Sequence, residues 1–359
     1  MKIALVVDQP QWTGIGTYAL SLYKLLSPYI IDIELIYVGA RKDEHIVYSH
    51  KDYLRRVEWW PTRPHIIRGN YRNLLKENEL KGYLLHYLGT DYYPLKLRRG
   101  VITVHDLIRD KRWPSKEYNI KKTFDILERN RKYRETLTLS NKALKIVSIS
   151  KKTKDDLEAL TGLNSVVIYH WIDDELFRER DKTESLYQTD LDPNLKYFLS
   201  VGNDRSSKRL DLIKILADAF PSNYRLIKIG APVRSKNAVN IGRVKDNQTY
   251  ALYFNVSEGY VHLSDDEGFG RPIIESLGSS LPVICRETKI NRELLGDSAI
   301  YLDGDNVSKG IRLAIDQLND DNFLKEIQNK ISKRKKVFNS KSAAQKYIKI
   351  YEESNSMVK

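Results

Sequence analysis

Sulfur is scarce in this sequence, which has one cysteine and two methionines in 359 residues. The single cysteine, Cys285, excludes an intrachain disulfide and is typical of a protein in a reducing cytoplasm. It follows an apolar run, so we expect core packing rather than reactivity. No apolar stretch approaches the roughly 20 residues that a membrane-spanning helix needs. The opening apolar run ends at Asp8, too early for a secretion signal, and predicts a strand.

The sequence also lacks a clear metal-binding pattern. No group of cysteines and histidines has the spacing of a zinc site. Asp303 and Asp305 form an Asp-x-Asp pair, but they follow the last predicted strand, and turn chemistry explains this spacing better. We therefore expect neither a metal nor a bound cofactor.

Positive charge is abundant: the formal net charge is +13. Such a surface attracts phosphates, acidic glycans, anionic membranes or nucleic acid without choosing among them. Residues 53–76 interleave basic and aromatic side chains, including Trp59 and Trp60. This pattern suits a membrane interface or an acceptor that carries sugar or phosphate, but it also suits a loop with half-buried tryptophans. The length of 359 residues favours two domains.

The first strand leads into a glycine-containing segment. Residues 2–7 form a continuous apolar run typical of a central parallel strand, and residues 17–26 have helical spacing. Gly14 and Gly16 lie in the predicted loop between them, where glycine lets the backbone approach a ligand phosphate. A lone Gly-x-Gly also occurs in structural turns. We predict no NAD site, because the acidic residue expected after the second strand is missing.

A second candidate side chain follows a later strand. Residues 101–104 predict a strand that runs into His105 and Asp106. In open α/β sheets, groups at the carboxyl ends of strands line the ligand crevice. A single histidine is often structural, but this position makes His105 a candidate active-site residue.

The second half repeats the strand–loop–helix pattern. Residues 197–202 predict the first strand of a second Rossmann-like domain, and residues 210–220 predict a helix. The loop between them contains Arg205 and Lys208, which could bind a diphosphate through charge-assisted hydrogen bonds. Surface ion pairing is the alternative role for these side chains.

The most informative stretch is residues 264–275. Glu267 and Glu275 lie eight positions apart, with a glycine-rich turn and Pro272 between them. A strand, a turn and a helix that starts near the proline would point backbone N–H groups at an anion. Carboxylates accept hydrogen bonds from hydroxyl groups. The stretch therefore predicts a site for an anionic, polyhydroxylated ligand such as a nucleotide sugar.

The Glu-Gly-Phe-Gly sequence at 267–270, followed by Glu275, resembles the retaining family 4 glycosyltransferases of GT-B fold (glycosyl transferases group 1). The resemblance implies an α/β fold with two Rossmann-like domains, whose parallel sheets face each other across a cleft. It implies an acceptor-side domain over 1–175, joined by a C-terminal helix at 338–356, and a donor domain over 176–337.

The resemblance also implies roles for individual residues. Glu267 and His105 would be catalytic. The residues that would bind the donor are Gly14, Gly16, Lys208, Val244, Phe269, Gly270 and Glu275. Arg205 is added to them because it lies close to Lys208 in the same loop. The chain departs from the family pattern at Asn203, where arginine is common, and at Ser280, where glycine is usual.

The implied reaction is a metal-independent, hexosyltransferase-like transfer. A nucleoside-diphosphate sugar would donate its sugar, with retention of configuration, to a glycan or lipid-linked acceptor. The basic surface would allow peripheral contact with an anionic membrane. Two alternatives remain open: a GT-B transferase acting on nucleic acid, which the sequence favours less, and a non-catalytic nucleotide-sugar-binding protein.

Overall fold

The computed structural model describes residues 1–7, 9, 13–38, 45–48, 82–89, 100–107, 143–302, 304 and 306–357. The chain divides into two compact units. The first consists of Met1–Tyr169 with Lys341–Lys359, and the second of His170–Ser340. Both are built from a mainly parallel sheet and helices, which confirms the predicted α/β fold class.

The first unit contains a seven-stranded sheet in the order β3-β2-β1-β4-β5-β6-β7. The strands are β1 (Lys2–Val7), β2 (Ile33–Val38), β3 (His45–Tyr48), β4 (Tyr83–Tyr87), β5 (Val101–Val104), β6 (Lys145–Ser148) and β7 (Val166–Val167). Only β3 pairs antiparallel among these described strands, and it was not predicted. The strand order reverses between β1 and β4, and the carboxyl edge at such a reversal is where open α/β sheets bind ligands.

Two capped helices belong to this part of the chain: α1 (Gly14–Leu26) and α2 (Lys151–Thr161). Ser150 caps α2, because its hydroxyl accepts a hydrogen bond from the Thr153 N–H at 3.0 Å. The expected start of α1 at Thr17 was wrong. Thr13 caps the helix and accepts from the Gly16 N–H at 3.0 Å, so both glycines lie in the first helical turn.

The second unit contains a six-stranded parallel sheet in the order β10-β9-β8-β11-β12-β13. Its strands are β8 (Lys196–Gly202), β9 (Tyr224–Gly230), β10 (Ala238–Gly242), β11 (Ser257–His262), β12 (Val283–Arg286) and β13 (Ala299–Leu302). The order reverses between β8 and β11. The loops that follow these two neighbouring strands therefore emerge side by side.

Seven helices are described in the second unit. They are α3 (Lys182–Thr189), α4 (Leu210–Asp218), α5 (Asn247–Asn255), α6 (Arg271–Gly278), α7 (Lys289–Leu295), α8 (Val307–Leu318) and α9 (Asp321–Lys335). One core cluster includes Phe198 from β8, Leu216 from α4, Ile284 from β12 and Ile311 from α8. Burial of such apolar surface, at about 25 cal/mol per Å², holds the helices on the sheet.

The last helix, α10 (Ser340–Ser356), belongs to the first unit. Two buried tyrosines attach it there. The Tyr347 hydroxyl lies 2.5 Å from the Tyr18 hydroxyl, and the Tyr351 hydroxyl lies 2.7 Å from Nδ1 of His86. Among the described residues, no helix has the length and apolar character needed to cross a bilayer.

Candidate functional site

Two loops meet at the strand reversal of the second unit. The Asp265 N–H, in the loop after β11, donates to the Ser207 carbonyl, in the loop after β8, at 2.9 Å. Arg209 binds the Asp265 carboxylate at 3.2 Å, and Arg286, at the end of β12, forms a second ion pair with it. These contacts hold the two loops against each other at the carboxyl edge of the sheet.

Lys208 and Glu267 form an ion pair at this junction. Their side chains are 21% and 15% exposed, so the pair is largely shielded from water. Burial pushes the pKa of Glu267 upward, but the charge of Lys208 and hydrogen bonds outweigh it, and the pKa lies below its ordinary value. The carboxylate is therefore ionised at neutral pH.

A histidine that sequence analysis did not single out lies beside this pair. His262 ends β11 and is buried, and its Nε2 is 3.9 Å from Oε1 of Glu267. Burial lowers the pKa of His262 to about 4, so the ring is neutral at pH 7. The available signal was its position at the carboxyl end of a strand, the same signal that pointed to His105.

Glu275 lies in α6 and is buried. The Tyr250 hydroxyl donates to its Oε2 at 3.0 Å, and Nε of Arg271 lies 3.6 Å from its Oε1. Burial raises the pKa of Glu275, although Arg271 and Tyr250 oppose the rise. The pKa of Tyr260 is raised well above its ordinary value of 10.0, mainly by burial and then by the charges of Glu267 and Glu275. The Tyr260 hydroxyl therefore senses both carboxylates. The two predicted carboxylates therefore share one buried neighbourhood.

The turn before α6 depends on Gly270. This residue has φ = 97° at the N-cap, a conformation that side chains disfavour. The preceding Phe269 is buried against His170, with ring centroids 4.7 Å apart, and against Phe338. Its ring anchors the turn to the core, so a ligand could meet Phe269 only through its backbone.

Arg205 and Val244 occupy different places in the second unit. Arg205 is exposed in the loop after β8 and forms no ion pair with any other described residue. Its carbonyl accepts from the Lys208 N–H at 2.8 Å, so the two cationic residues belong to one turn. Val244 is half-buried and follows β10, the outer strand, two strands from β8.

A buried lysine beneath the same loop was also missed. Lys228 lies in β9, is 1% exposed, and donates from Nζ to the carbonyls of Gly202 at 2.9 Å and Ile229 at 3.0 Å. Burial and, to a smaller extent, the charge of Lys208 lower its pKa to about 8. A Cβ at Gly230 would lie 2.3 Å from the Gly202 oxygen, so this glycine permits the close approach of β8 and β9. A lysine within the apolar run of β9 was the available signal.

The first unit has its own cluster at the carboxyl edge of its sheet. His105 follows β5, is buried, and donates from Nε2 to the Leu88 carbonyl at 2.8 Å. The ring meets Tyr18 of α1 edge to face, with centroids 4.8 Å apart. Burial lowers the pKa of His105 to about 4, despite opposing effects of Leu88 and Asp106. The histidine is therefore neutral and held in one tautomer.

The predicted glycines differ in their surroundings. Gly14 is exposed at the start of α1, and a Cβ there would meet nothing within 4 Å. Gly16 is buried, and its N–H is bonded to Thr13. Of the two, only Gly14 presents an open backbone surface.

Several solved structures have a similar fold. Sucrose-phosphate synthase (tll1590) from Thermosynechococcus elongatus superposes with a TM-score of 0.70 at 14% identity, over 98% of both chains. WaaG, a glycosyltransferase involved in lipopolysaccharide biosynthesis, gives 0.69 at 13% identity, over 96% of this chain and 98% of WaaG. HepE from Anabaena, in complex with UDP-glucose, gives 0.66 at 17% identity, over 99% and 100%.

The fold is the GT-B fold of glycosyltransferases.

The GT-B chain also has a curated relative, the O-antigen chain mannosyltransferase RfbU of Salmonella typhimurium. The two are 26% identical over 228 aligned residues, and the alignment covers 58% of each protein. The chain thus spans little more than half the length of this relative. No family model matches the chain.

The residues that the structure describes in the GT-B chain contain no cluster of three or more acidic, histidine or cysteine side chains suited to a metal. Asp303 and Asp305 lie outside the described residues, as do 53–76. Within the second unit, the structure brings Arg205, Lys208 and Glu267 to adjoining loops. It places Val244 at the outer strand instead.

Proposed function

We propose that this protein is a retaining glycosyltransferase of family 4 type that uses a nucleoside-diphosphate sugar. The observation that carries the proposal is the convergence of Lys208 and Glu267 at the strand reversal of the second unit. An ammonium group suits a diphosphate, and an ionised carboxylate suits sugar hydroxyls. The proteins of similar fold support this, because HepE was solved with UDP and UDP-glucose, and the curated relative is named a mannosyltransferase.

In the proposed reaction, the bond between the anomeric carbon and the diphosphate oxygen breaks. The acceptor oxygen bonds to the same face of that carbon, and its proton passes to the leaving diphosphate. Lys208 and Arg205 stabilise the charge on the departing oxygens, and the N-terminus of α6 adds to this stabilisation. The ionised Glu267 stabilises positive charge at the anomeric carbon. No protein atom forms a covalent bond to the sugar, and no metal is required.

Two further residues have proposed roles. Glu275 is held by Tyr250 and Arg271, and its carboxylate is suited to hydrogen bonds from the ribose hydroxyls. His105 is neutral and fixed by Leu88, so it is suited to orient a substrate hydroxyl in the first unit rather than to supply a positive charge.

The donor can be identified by thermal unfolding of the full chain with UDP, GDP, UDP-glucose and GDP-mannose. A nucleotide present at about 100 times its Kd stabilises the folded protein by about 2.7 kcal/mol. Donor hydrolysis is then measured for Lys208→Ala and Glu267→Ala. Lys214→Ala is the matched control, because Lys214 pairs with Asp218 on the exposed face of α4.

We expect Lys208→Ala and Glu267→Ala to lose turnover while the control keeps it. Full activity in either variant would contradict the assigned roles. If no nucleotide or nucleotide sugar stabilises the wild-type protein or is hydrolysed by it, the proposed function itself is wrong.

We further propose a glycan or lipid-linked acceptor and peripheral attachment to anionic membranes. The net charge of +13 and the O-antigen relative support this choice. Sedimentation with vesicles of phosphatidylcholine, alone or with phosphatidylglycerol, tests the attachment. Binding to the anionic vesicles at low salt is expected, and equal recovery with both vesicle types would contradict it.

A further inference from the structure

A buried ring nitrogen next to the candidate site has no partner. His262 is 4% exposed, and its Nδ1 lies 3.3 Å from the Tyr260 hydroxyl. Its Nε2 has no hydrogen-bond partner within the part of the chain that the structure describes. Leaving a buried polar group unpaired costs about 1–3 kcal/mol, so such an atom calls for an explanation.

One tautomer of His262 makes its Nε2 a hydrogen-bond donor on the side of Glu267. Burial, with the charges of Glu267 and Glu275, raises the pKa of Tyr260 well above its ordinary value, so its hydroxyl keeps its hydrogen. When that hydroxyl donates to Nδ1, the single proton of the neutral ring lies on Nε2. The Nε2–H is then the ring donor nearest Glu267, at 3.9 Å from its Oε1.

Glu267 and the donor diphosphate are both expected to bind the Lys208 ammonium. Lys208 pairs with Glu267, and the proposed reaction assigns the same ammonium to the donor diphosphate. Two anionic groups thus compete for one cation. When the diphosphate takes Lys208, the carboxylate loses its cationic partner and, among the described residues, keeps only the Ser264 side chain as a hydrogen-bond donor, and Nε2 of His262 is within reach to replace Lys208. A shift of about 1 Å would bring the two atoms from 3.9 Å to the roughly 2.9 Å of a hydrogen bond.

We propose that His262 is a positioning residue, whose Nε2–H holds the Glu267 carboxylate against the donor sugar once the donor diphosphate has engaged Lys208. This inference rests on the proposed function and adds a residue to it. The exchange would couple donor binding to the placement of Glu267. His262 would act only through Glu267.

Substituting His262 with glutamine or asparagine distinguishes the role of Nε2 from that of Nδ1. In His262→Gln the side-chain amide nitrogen can occupy the place of Nε2, whereas in His262→Asn it can reach only the place of Nδ1. Both variants remove the ring and place an amide at a buried position, so a purely structural role would not favour glutamine. The readouts are kcat and KM for hydrolysis of UDP-glucose or GDP-mannose, whichever the wild-type protein turns over, and the Kd for the nucleotide of that donor.

We expect His262→Gln to keep kcat within a few fold of wild type. His262→Asn should lose on the order of 100-fold in kcat, as a misplacement near 1 Å can cause, and should bind the nucleotide several-fold more weakly, because the contact that forms on nucleotide binding is lost. In a Glu267→Gln background, His262→Asn should have no further effect, because both changes act on one group. Wild-type kcat in His262→Asn, equal losses in both variants, or additive losses would each overturn the inference.

A second measurement is made on the wild-type protein. Histidine labelled with ¹⁵N reports the ring tautomer by NMR, and the spectrum of His262→Gln identifies the signal that belongs to His262. We expect the Nε2–H tautomer, with a shift of its signal when the nucleotide that binds the wild-type protein, UDP or GDP, is added. The opposite tautomer, or a signal unchanged when that nucleotide is saturating, would overturn the inference. Failure of wild-type protein to bind UDP or GDP would instead reject the proposed function.

Discussion

Replacing Lys228 with methionine measures the free energy that the second unit loses by burying a charged lysine in its core. The pKa of Lys228 is about 8 instead of 10.5, chiefly because burial disfavours the charged form. A difference of this size corresponds to about 3 kcal/mol of unfavourable free energy in the folded protein at neutral pH. The Gly202 carbonyl also accepts from the Ala231 N–H at 2.9 Å, so methionine does not leave that oxygen unpaired.

The pH dependence has a definite sign. Below pH 8 both folded and unfolded chains hold the lysine proton, and the full penalty is present. Between pH 8 and 10.5 the folded chain releases its proton while the unfolded chain still binds it, so wild-type stability rises with pH relative to the variant. Most of the roughly 3 kcal/mol penalty is therefore gone by pH 10.

Thermal unfolding of the full chain from pH 7 to pH 10 measures this effect. For a unit of this size, 1 kcal/mol shifts Tm by about 2–4 °C. The Tm of Lys228→Met minus that of wild type should fall by about 5–10 °C over this range. Other titrating groups are common to both proteins and cancel in the difference. A difference in Tm that stays constant with pH would show that folding does not lower the pKa of Lys228, and would refute the reasoning.

Three further changes test packing and polar contacts. Tyr250→Phe removes the hydroxyl that binds Glu275, so calorimetry should show affinity weakened several-fold for whichever of UDP and GDP the wild-type protein binds. Gly230→Ala introduces a Cβ 2.3 Å from a backbone oxygen and should lower the free energy of unfolding by more than 2 kcal/mol. Gly296→Ala is its control: this glycine also has a positive φ but lies in open space, so the loss should be only about 1 kcal/mol. Denaturant titration measures both values. Tyr347→Phe removes one of two paired buried hydroxyls and should lower stability by about 1 kcal/mol, whereas an unchanged midpoint would show that this pair contributes nothing.

Local patterns predicted the frame of the candidate site well. The apolar run before residue 264, the glycine turn and Pro272 predicted the strand, loop and helix that the structure contains as β11 and α6. These features depend on short-range chemistry, which the sequence carries directly. The start of α1 was missed because two glycines argued against helix, while the Thr13 cap and the packing of Tyr18 outweighed their low propensity.

Contacts between distant segments could not be predicted. Lys228 and His262 lie in apolar strands, where a single polar residue gives no hint of its partner. Their significance depends on which strands are neighbours and on the register that places Lys228 under Gly202 and His262 beside Glu267. Similarly, the sequence around Phe269 does not reveal that its ring faces His170 and Phe338 rather than a ligand.

The return of α10 to the first unit affects how the chain can fold during its synthesis. Tyr18 and His86 cannot form their hydrogen bonds to Tyr347 and Tyr351 until the whole second unit has been synthesised, because these two tyrosines follow it in the chain. At 5–20 residues per second, the intervening stretch of about 170 residues takes roughly 10–35 s to translate. The second unit is contiguous, and the Ile172 N–H near its start binds the Phe338 carbonyl near its end at 2.9 Å. It can therefore close on itself and reach its native structure while the first unit still lacks its final helix.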